Sequence, residues 1–142
     1  MKHIFTVAAL LAGTLSAWGQ VASLDDQAKC AKQAEKVFEE QRTDFRLNSP
    51  EGQISFTGHY NPKLGRCFVE ISAVPDGVRV HHLSGVYDAF ERAVFASYWA
   101  VQNTNENQSD TLLSCVVGET HCHSRDEFEA LVLAKYGLAS TK

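Results

Sequence analysis

The residues best suited to bind a metal ion lie close together near the end of the chain. Cys115 is followed by the consecutive residues His121, Cys122 and His123, and thiolates and neutral imidazoles are the usual ligands of zinc. Three consecutive side chains cannot easily all turn towards one ion, and the spacing matches no established zinc pattern. We therefore predict no cofactor and no dedicated metal site, and weak metal binding through the His121-Cys122-His123 turn is an alternative function.

A small hydrolase would need a nucleophile, a base and an orienting acid. Ser84, His82 and Asp88 lie near each other in the sequence, and His59 could approach His82 from a neighbouring strand. No serine lies in a G-x-S-x-G elbow, and the chain has no phosphate loop or dinucleotide fingerprint. A secreted hydrolase that uses His59, His82 or Asp88 is therefore an alternative and not the leading hypothesis.

Asp88 has two further interpretations. It could form a carboxylate pair with Glu70 or Glu91 for glycoside hydrolysis. It could instead cap the tight connection at Glu91-Arg92. Both interpretations stay open, because the sequence gives no distance between the carboxylates.

Aromatic residues on the predicted strands favour a binding surface. Large aromatic side chains with a polar tip serve both cores and interfaces. Successive residues of a strand point to opposite faces, so Tyr98 and Trp99 cannot both pack on the same layer. The candidate binding residues are His59, Tyr60, Tyr87, Asp88, Tyr98 and Trp99. The leading hypothesis is a non-enzymatic binding or interaction domain.

Composition limits the partners. The 142 residues include 13 Lys and Arg against 17 Asp and Glu, with 44% hydrophobic and 21% charged residues. These fractions exclude a disordered tail and a membrane bundle. A net acidic chain without a basic run argues against nucleic acid as a partner. We expect a protein or a cell-envelope ligand as the partner, and no pattern in the chain sets the oligomeric state.

The N-terminus has the pattern of an export signal. Met1-Lys2-His3 is followed by an apolar run from residue 4 to residue 15, and Ala17 and Gly19 fit the small positions before a cleavage site. The run is shorter than the roughly 20 residues of a spanning helix. We predict a signal peptide over residues 1–19 and a single α+β domain over residues 20–142. The mature protein is expected in the periplasm or the medium, without membrane insertion.

Four cysteines in an exported chain of this size predict two disulfides. Three pairings are possible. The short loop around Gly118-Glu119 favours Cys115–Cys122, which leaves Cys30–Cys67 to tie the first helix to the sheet. Such bonds are expected to close in the oxidising compartment that export implies.

Periodicity indicates a helix, a set of strands and a second helix. Apolar residues recur at helical spacing over residues 24–41, and a capping box at Ser124 with a stop at Gly137 brackets the last helix. Strands are predicted near residues 53–60, 66–74, 78–83 with 86–90, 93–102 and 111–117, with a break or bulge at Ser84-Gly85. The turns are too short for parallel crossovers. The prediction is an α+β fold in which the N-terminal helix packs on a four- to five-stranded antiparallel sheet, followed by a C-terminal helix.

One segment of the sequence resembles a hairpin found in a group of other proteins. His59 to Val69, which reads HYNPKLGRCFV, resembles the HYN-x-K-L-x-x-C-F hairpin of small exported bacterial proteins of unknown function. Those proteins begin with a Cys-containing helix and end with an S-x-x-E-F helix, to which Ser124–Phe128 is similar. The resemblance implies one exported domain and no particular activity.

Overall fold

The computed structural model describes residues 23–48, 53–74, 80–102 and 110–138. Its elements are α1 (Leu24–Asn48), β1 (Gln53–Asn61), β2 (Arg66–Val74), β3 (Val80–Asp88), β4 (Val94–Gln102), β5 (Thr111–Val117), β6 (Thr120–His121) and α2 (Arg125–Tyr136). The expected signal peptide of residues 1–19 lies outside the described residues. Neither helix in the described ranges combines the length and the apolar character needed to cross a membrane.

The strands form one antiparallel sheet in the order β1-β2-β3-β4-β5-β6, so each strand pairs with its neighbour in sequence. The α+β fold class is confirmed, but the sheet has six strands, and not the four or five predicted. The additional strand has two residues, and this is too short for an alternating pattern to be visible in sequence. Gly118, with φ of 62°, makes the turn into it.

The first helix covers one face of the sheet at β1 and β2. Ala34 of α1 is fully buried against Gly58 of β1, where an added Cβ would lie 2.6 Å from the Ala34 Cβ. The Cys30–Cys67 disulfide joins α1 to β2, as predicted. The core of this layer contains Cys30, Ala34, Val37, Phe45, Cys67, Val69, Ile71, Ala73 and Ala89. The sheet and α1 are therefore held together by close backbone approach and by one covalent link.

The second helix covers the opposite face at β4 and β5. Ser124 caps it by accepting a hydrogen bond from the Glu127 backbone N–H at 3.1 Å, and Gly137 ends it with φ of 74°. Its own residues Phe128 and Val132 are buried on the side that faces the sheet. The Cys115–Cys122 disulfide closes the β5–β6 turn, which confirms the second predicted pairing. The two helices thus cover different strands on different faces.

The first helix is longer than the sequence predicted, and it ends at Asn48, seven residues beyond the predicted end. The sequence predicts an end at residue 41 because the segment after Gln41 is mostly polar. Phe45 lies within it, is 8% exposed, and continues the apolar stripe of the helix by two turns. This extension carries the end of α1 beyond β2 towards β3 and β4.

Candidate functional site

An open cleft of about 290 Å³ lies between the C-terminal end of α1 and strands β3, β4 and β5. It forms because α1 packs mainly on β1 and β2, while its last two turns extend over the next strands. The cleft is lined by Gln41, Asp44, Phe45, Asn48, Leu83, Ser84, Gly85, Tyr87, Ser97, Tyr98, Trp99 and Ser114. Helix residues thus form one wall, and sheet residues form the floor.

Two of the predicted binding residues, Tyr87 and Trp99, meet in this cleft. Trp99 pairs with Leu83 across β3 and β4, which places both on the face that α1 covers elsewhere. The Trp99 side chain is 38% exposed, so part of the indole is accessible from solvent. The floor therefore presents two large aromatic groups at the open side of the sheet.

The ring of Tyr87 depends on a glycine two residues earlier. A Cβ built at Gly85 would lie 2.8 Å from a ring carbon and 2.9 Å from the hydroxyl oxygen of Tyr87. The ring therefore lies across the backbone of β3, in space that no other residue type leaves open. Burial, and secondarily the nearby Asp44 carboxylate, raises the pKa of Tyr87, so this phenol stays protonated in neutral solution.

The helix wall of the cleft is polar. Gln41, Asp44 and Asn48 follow one another at three- and four-residue steps and therefore share one side of α1. The Asn48 Nδ2 group donates a hydrogen bond to the backbone carbonyl of Asp44 at 2.8 Å, which fixes the side chain at the helix end. A polar wall facing an aromatic floor is typical of sites that bind molecules with both apolar and polar parts.

Asp88 lies elsewhere and has a structural role. Its Oδ1 accepts hydrogen bonds from the backbone N–H groups of Phe90 and Glu91, both at 2.8 Å, and its Oδ2 lies 3.2 Å from the Arg66 guanidinium. Both oxygens are engaged and the residue is 3% exposed. Of the interpretations left open by the sequence, the geometry matches the cap of the tight connection.

His59 and Tyr60 are separated from the cleft as well. Both border a different cavity of about 550 Å³ beside the N-terminal half of α1. Tyr60 packs with the α1-side core. The ring of His59 comes close to Gly137 after α2, where its Nε2 lies 3.5 Å from the position that a Cβ would take. The structure does not join these residues to Tyr87 and Trp99.

Tyr98 faces away from Trp99, as the alternation predicted. Its ring packs against Phe128 of α2, with the ring centroids 5.6 Å apart, and the residue is 6% exposed. Although Tyr98 also borders the cleft, its aromatic group belongs to the α2-side core. Of the six candidate binding residues, the cleft therefore receives the rings of two.

His82 is engaged with an arginine on the α2 side. Arg125 Nη1 lies 2.9 Å from His82 Nδ1. Because a guanidinium only donates, Nδ1 must be the acceptor, and the ring proton lies on Nε2. Burial and the Arg125 charge lower the pKa of His82. The imidazole is neutral in this arrangement and is paired with a cation, which differs from the acid-oriented base of a hydrolase.

Sequence reasoning treated Glu70 only as a partner for Asp88, and it missed the actual environment of this residue. Glu70 is 7% exposed within β2, and burial and the charge of Glu129 raise its pKa, while Arg125 lowers it. The available signal was a single acid in β2, which is apolar apart from Glu70, Arg66 and Ser72. Within the ranges that the structure covers, no ion pair includes Glu70, and no fully buried side-chain oxygen lacks a hydrogen-bond partner.

The predicted His121-Cys122-His123 turn is present at the surface. The Cys122 sulfur is consumed by the disulfide with Cys115, and the backbone N–H of His123 donates to Glu127 at 2.8 Å. Within the described parts of the chain, no group of three His, Cys, Asp or Glu residues is arranged to hold a metal ion.

Comparison with known proteins gives no match to a family model, to a curated protein or to a solved structure. The resemblance of the His59–Val69 segment to small exported bacterial proteins stays a prediction.

Proposed function

We propose that this protein is an exported, non-enzymatic binding domain and that the cleft beside α1 holds its ligand. The observation that carries the proposal is the cleft, with its aromatic floor and polar helix wall. Its volume of about 290 Å³ is near the lower end of the roughly 300–1,000 Å³ of small-molecule sites. The ligand class that fits is a small component of the cell envelope or the medium.

The positions of the hydrolase candidates support binding over catalysis. Asp88 uses both oxygens within its own turn and in the contact with Arg66. His82 accepts from Arg125, so its Nδ1 has no carboxylate to orient it. Neither His82 nor Asp88 is therefore arranged as the base or the acid that Ser84 would need for nucleophilic catalysis.

Two observations support an exported location. The two disulfides are consistent with an oxidising compartment, where such bonds form and persist. The first nineteen residues have the composition of a signal peptide. We propose the periplasm or the medium as the working compartment.

Trp99 offers a direct test. The chain has two tryptophans, Trp18 and Trp99. Trp18 lies in the predicted signal peptide, so a protein that begins at residue 20 reports fluorescence from the cleft alone. We expect a library of small polar-aromatic and ammonium-bearing fragments to include compounds that change this emission with saturation. Ser114→Phe, which fills the mouth of the cleft, should abolish these changes.

The matched control is Leu113→Phe. Leu113 is exposed on the same strand and is outside the cleft lining. Saturable binding that survives in Leu113→Phe and disappears in Ser114→Phe supports the proposal. Binding that is equal in both variants, or no saturable binding from the library, would contradict it.

A further inference from the structure

The cleft has a one-sided charge. Of the described residues that line it, Asp44 alone carries a charge, and none is a lysine, arginine or histidine. The described ion pairs leave Asp44 without a basic partner in the ranges covered by the structure. An exposed carboxylate that lines an open cleft and has no basic partner among the described residues favours a positive charge in the ligand.

The cationic side chains near Asp44 do not form an ion pair with it. Arg42 Nη1 lies 3.5 Å from Glu39, and Arg92 Nε lies 3.0 Å from Glu40. Arg46 is two positions after Asp44, and residues at this spacing do not face each other on a helix. Among the residues that the structure describes, no cation therefore pairs with Asp44, and its charge is available to an external partner.

The aromatic floor favours the same chemistry. The faces of tyrosine and tryptophan rings are electron-rich and attract ammonium groups, most strongly when water is excluded. Tyr87 and Trp99 lie on the floor opposite the helix wall that carries Asp44. The combination of two rings and one carboxylate is suited to an ammonium group on a small apolar body. It opposes carboxylate and phosphate ligands, because Asp44 would repel them.

We infer that the cleft selects organic ammonium ligands, with the positive charge held between Asp44 and the rings of Tyr87 and Trp99. This inference rests on the proposed function, since it names the ligand class of the same cleft. Uncharged polyols, which could use the amides of Gln41 and Asn48, are the competing ligand class.

The experiment compares choline with 3,3-dimethylbutan-1-ol, which has the same shape and no charge. Binding is measured by calorimetry and by the N-methyl or C-methyl proton shifts of each probe, with the full chain. We expect choline to bind about tenfold more tightly than its neutral isostere, the scale of one partly desolvated cation–π and charge contact. Its methyl signal should move upfield, since aromatic faces shield protons above them.

Asp44→Asn removes the charge and keeps the shape. We expect it to bring choline to within about twofold of the neutral isostere, while Glu35→Gln, the same change on the exposed side of α1, leaves the preference intact. Equal affinity of the two probes for the unmodified chain, binding of neither probe, or an unchanged preference in Asp44→Asn would overturn the inference. The fragment test with Ser114→Phe decides separately whether the cleft binds any ligand.

Discussion

The ring of Tyr87 occupies the space directly above the backbone of Gly85, where any added Cβ would lie 2.8 Å from a ring carbon. Residues two apart on a strand share a face, so this glycine permits the tyrosine to lie flat along β3. The floor of the cleft is shaped by this pair. Gly85 therefore matters for the function through the position of a neighbouring side chain.

Gly85→Ala should displace the Tyr87 ring. We expect a loss of about 1–3 kcal/mol in the free energy of unfolding, the usual cost of forcing a methyl group into packed space. Urea unfolding measures this cost. The same substitution in a Tyr87→Leu background should cost less than half as much, because the ring is absent. Equal costs in both backgrounds would show that the clash does not shape the floor.

We expect Asp88 to stabilise the fold. Asp88→Ala removes the acceptor for two backbone N–H groups and for Arg66, which should lower the free energy of unfolding by about 2 kcal/mol. Asp88→Asn keeps one oxygen acceptor, and it should cost about half of this. The comparison is made by denaturant unfolding. If both variants fold with unchanged stability, the capping role is wrong.

The two disulfides should differ in their contribution. The Cys30–Cys67 bond spans 37 residues of sequence separation and the Cys115–Cys122 bond spans 7. Loop-closure entropy in the unfolded chain then gives about 4 and about 2.5 kcal/mol respectively. Paired Cys→Ala variants, each with the other bond intact, test this order by denaturant unfolding. A larger loss of stability on removing the Cys115–Cys122 bond than on removing the Cys30–Cys67 bond would contradict this order.

Glu70 should make stability depend on pH. Burial first, and then Glu129, raises its pKa in the folded chain. The folded chain therefore holds the proton more tightly than the unfolded chain. The stability that proton binding by Glu70 adds is complete below the ordinary glutamate pKa. It is lost as the pH rises through the raised pKa of the folded chain.

Glu70→Gln should consequently stabilise the fold at neutral pH by on the order of 1 kcal/mol, and the difference should shrink towards zero in acid. Urea unfolding at several pH values measures this dependence, with the exposed Glu35→Gln as the control. If the gain in stability from Glu70→Gln grows as the pH falls, the dependence has the opposite sign. That result would contradict the raised pKa of Glu70.

The sheet and the Cys115–Cys122 disulfide could be predicted because their signals are local, and Cys30–Cys67 followed as the remaining pair. The run of β2 from Arg66 to Val74 alternates along its length, and its predicted bounds are those observed. The end of α1 could not be placed, since Phe45 is a single apolar residue within a polar segment and only its packing shows that the helix continues. The additional strand β6 depends on pairing with β5, which a two-residue pattern does not encode.

Only part of the candidate site could be predicted, because only some of its signals are local in the sequence. Alternation correctly placed the side chains of Tyr98 and Trp99 on opposite faces. It could not show that Tyr87 joins Trp99, because their meeting depends on the strand register and on the bulge between Val86 and Tyr87. No pattern in the sequence marks Asp44, since the predicted helix ends at residue 41.

Chemical-shift mapping of a bound fragment on the isotope-labelled chain tests the central claim most directly. The amide and indole N–H signals that move on titration should cluster at Asp44, Gly85, Tyr87, Ser97 and Trp99, which border the cleft. Signals of α2, on the opposite face, should stay unchanged. Shifts that concentrate on α2, or along the β1 edge near His59, would contradict the cleft as the binding site.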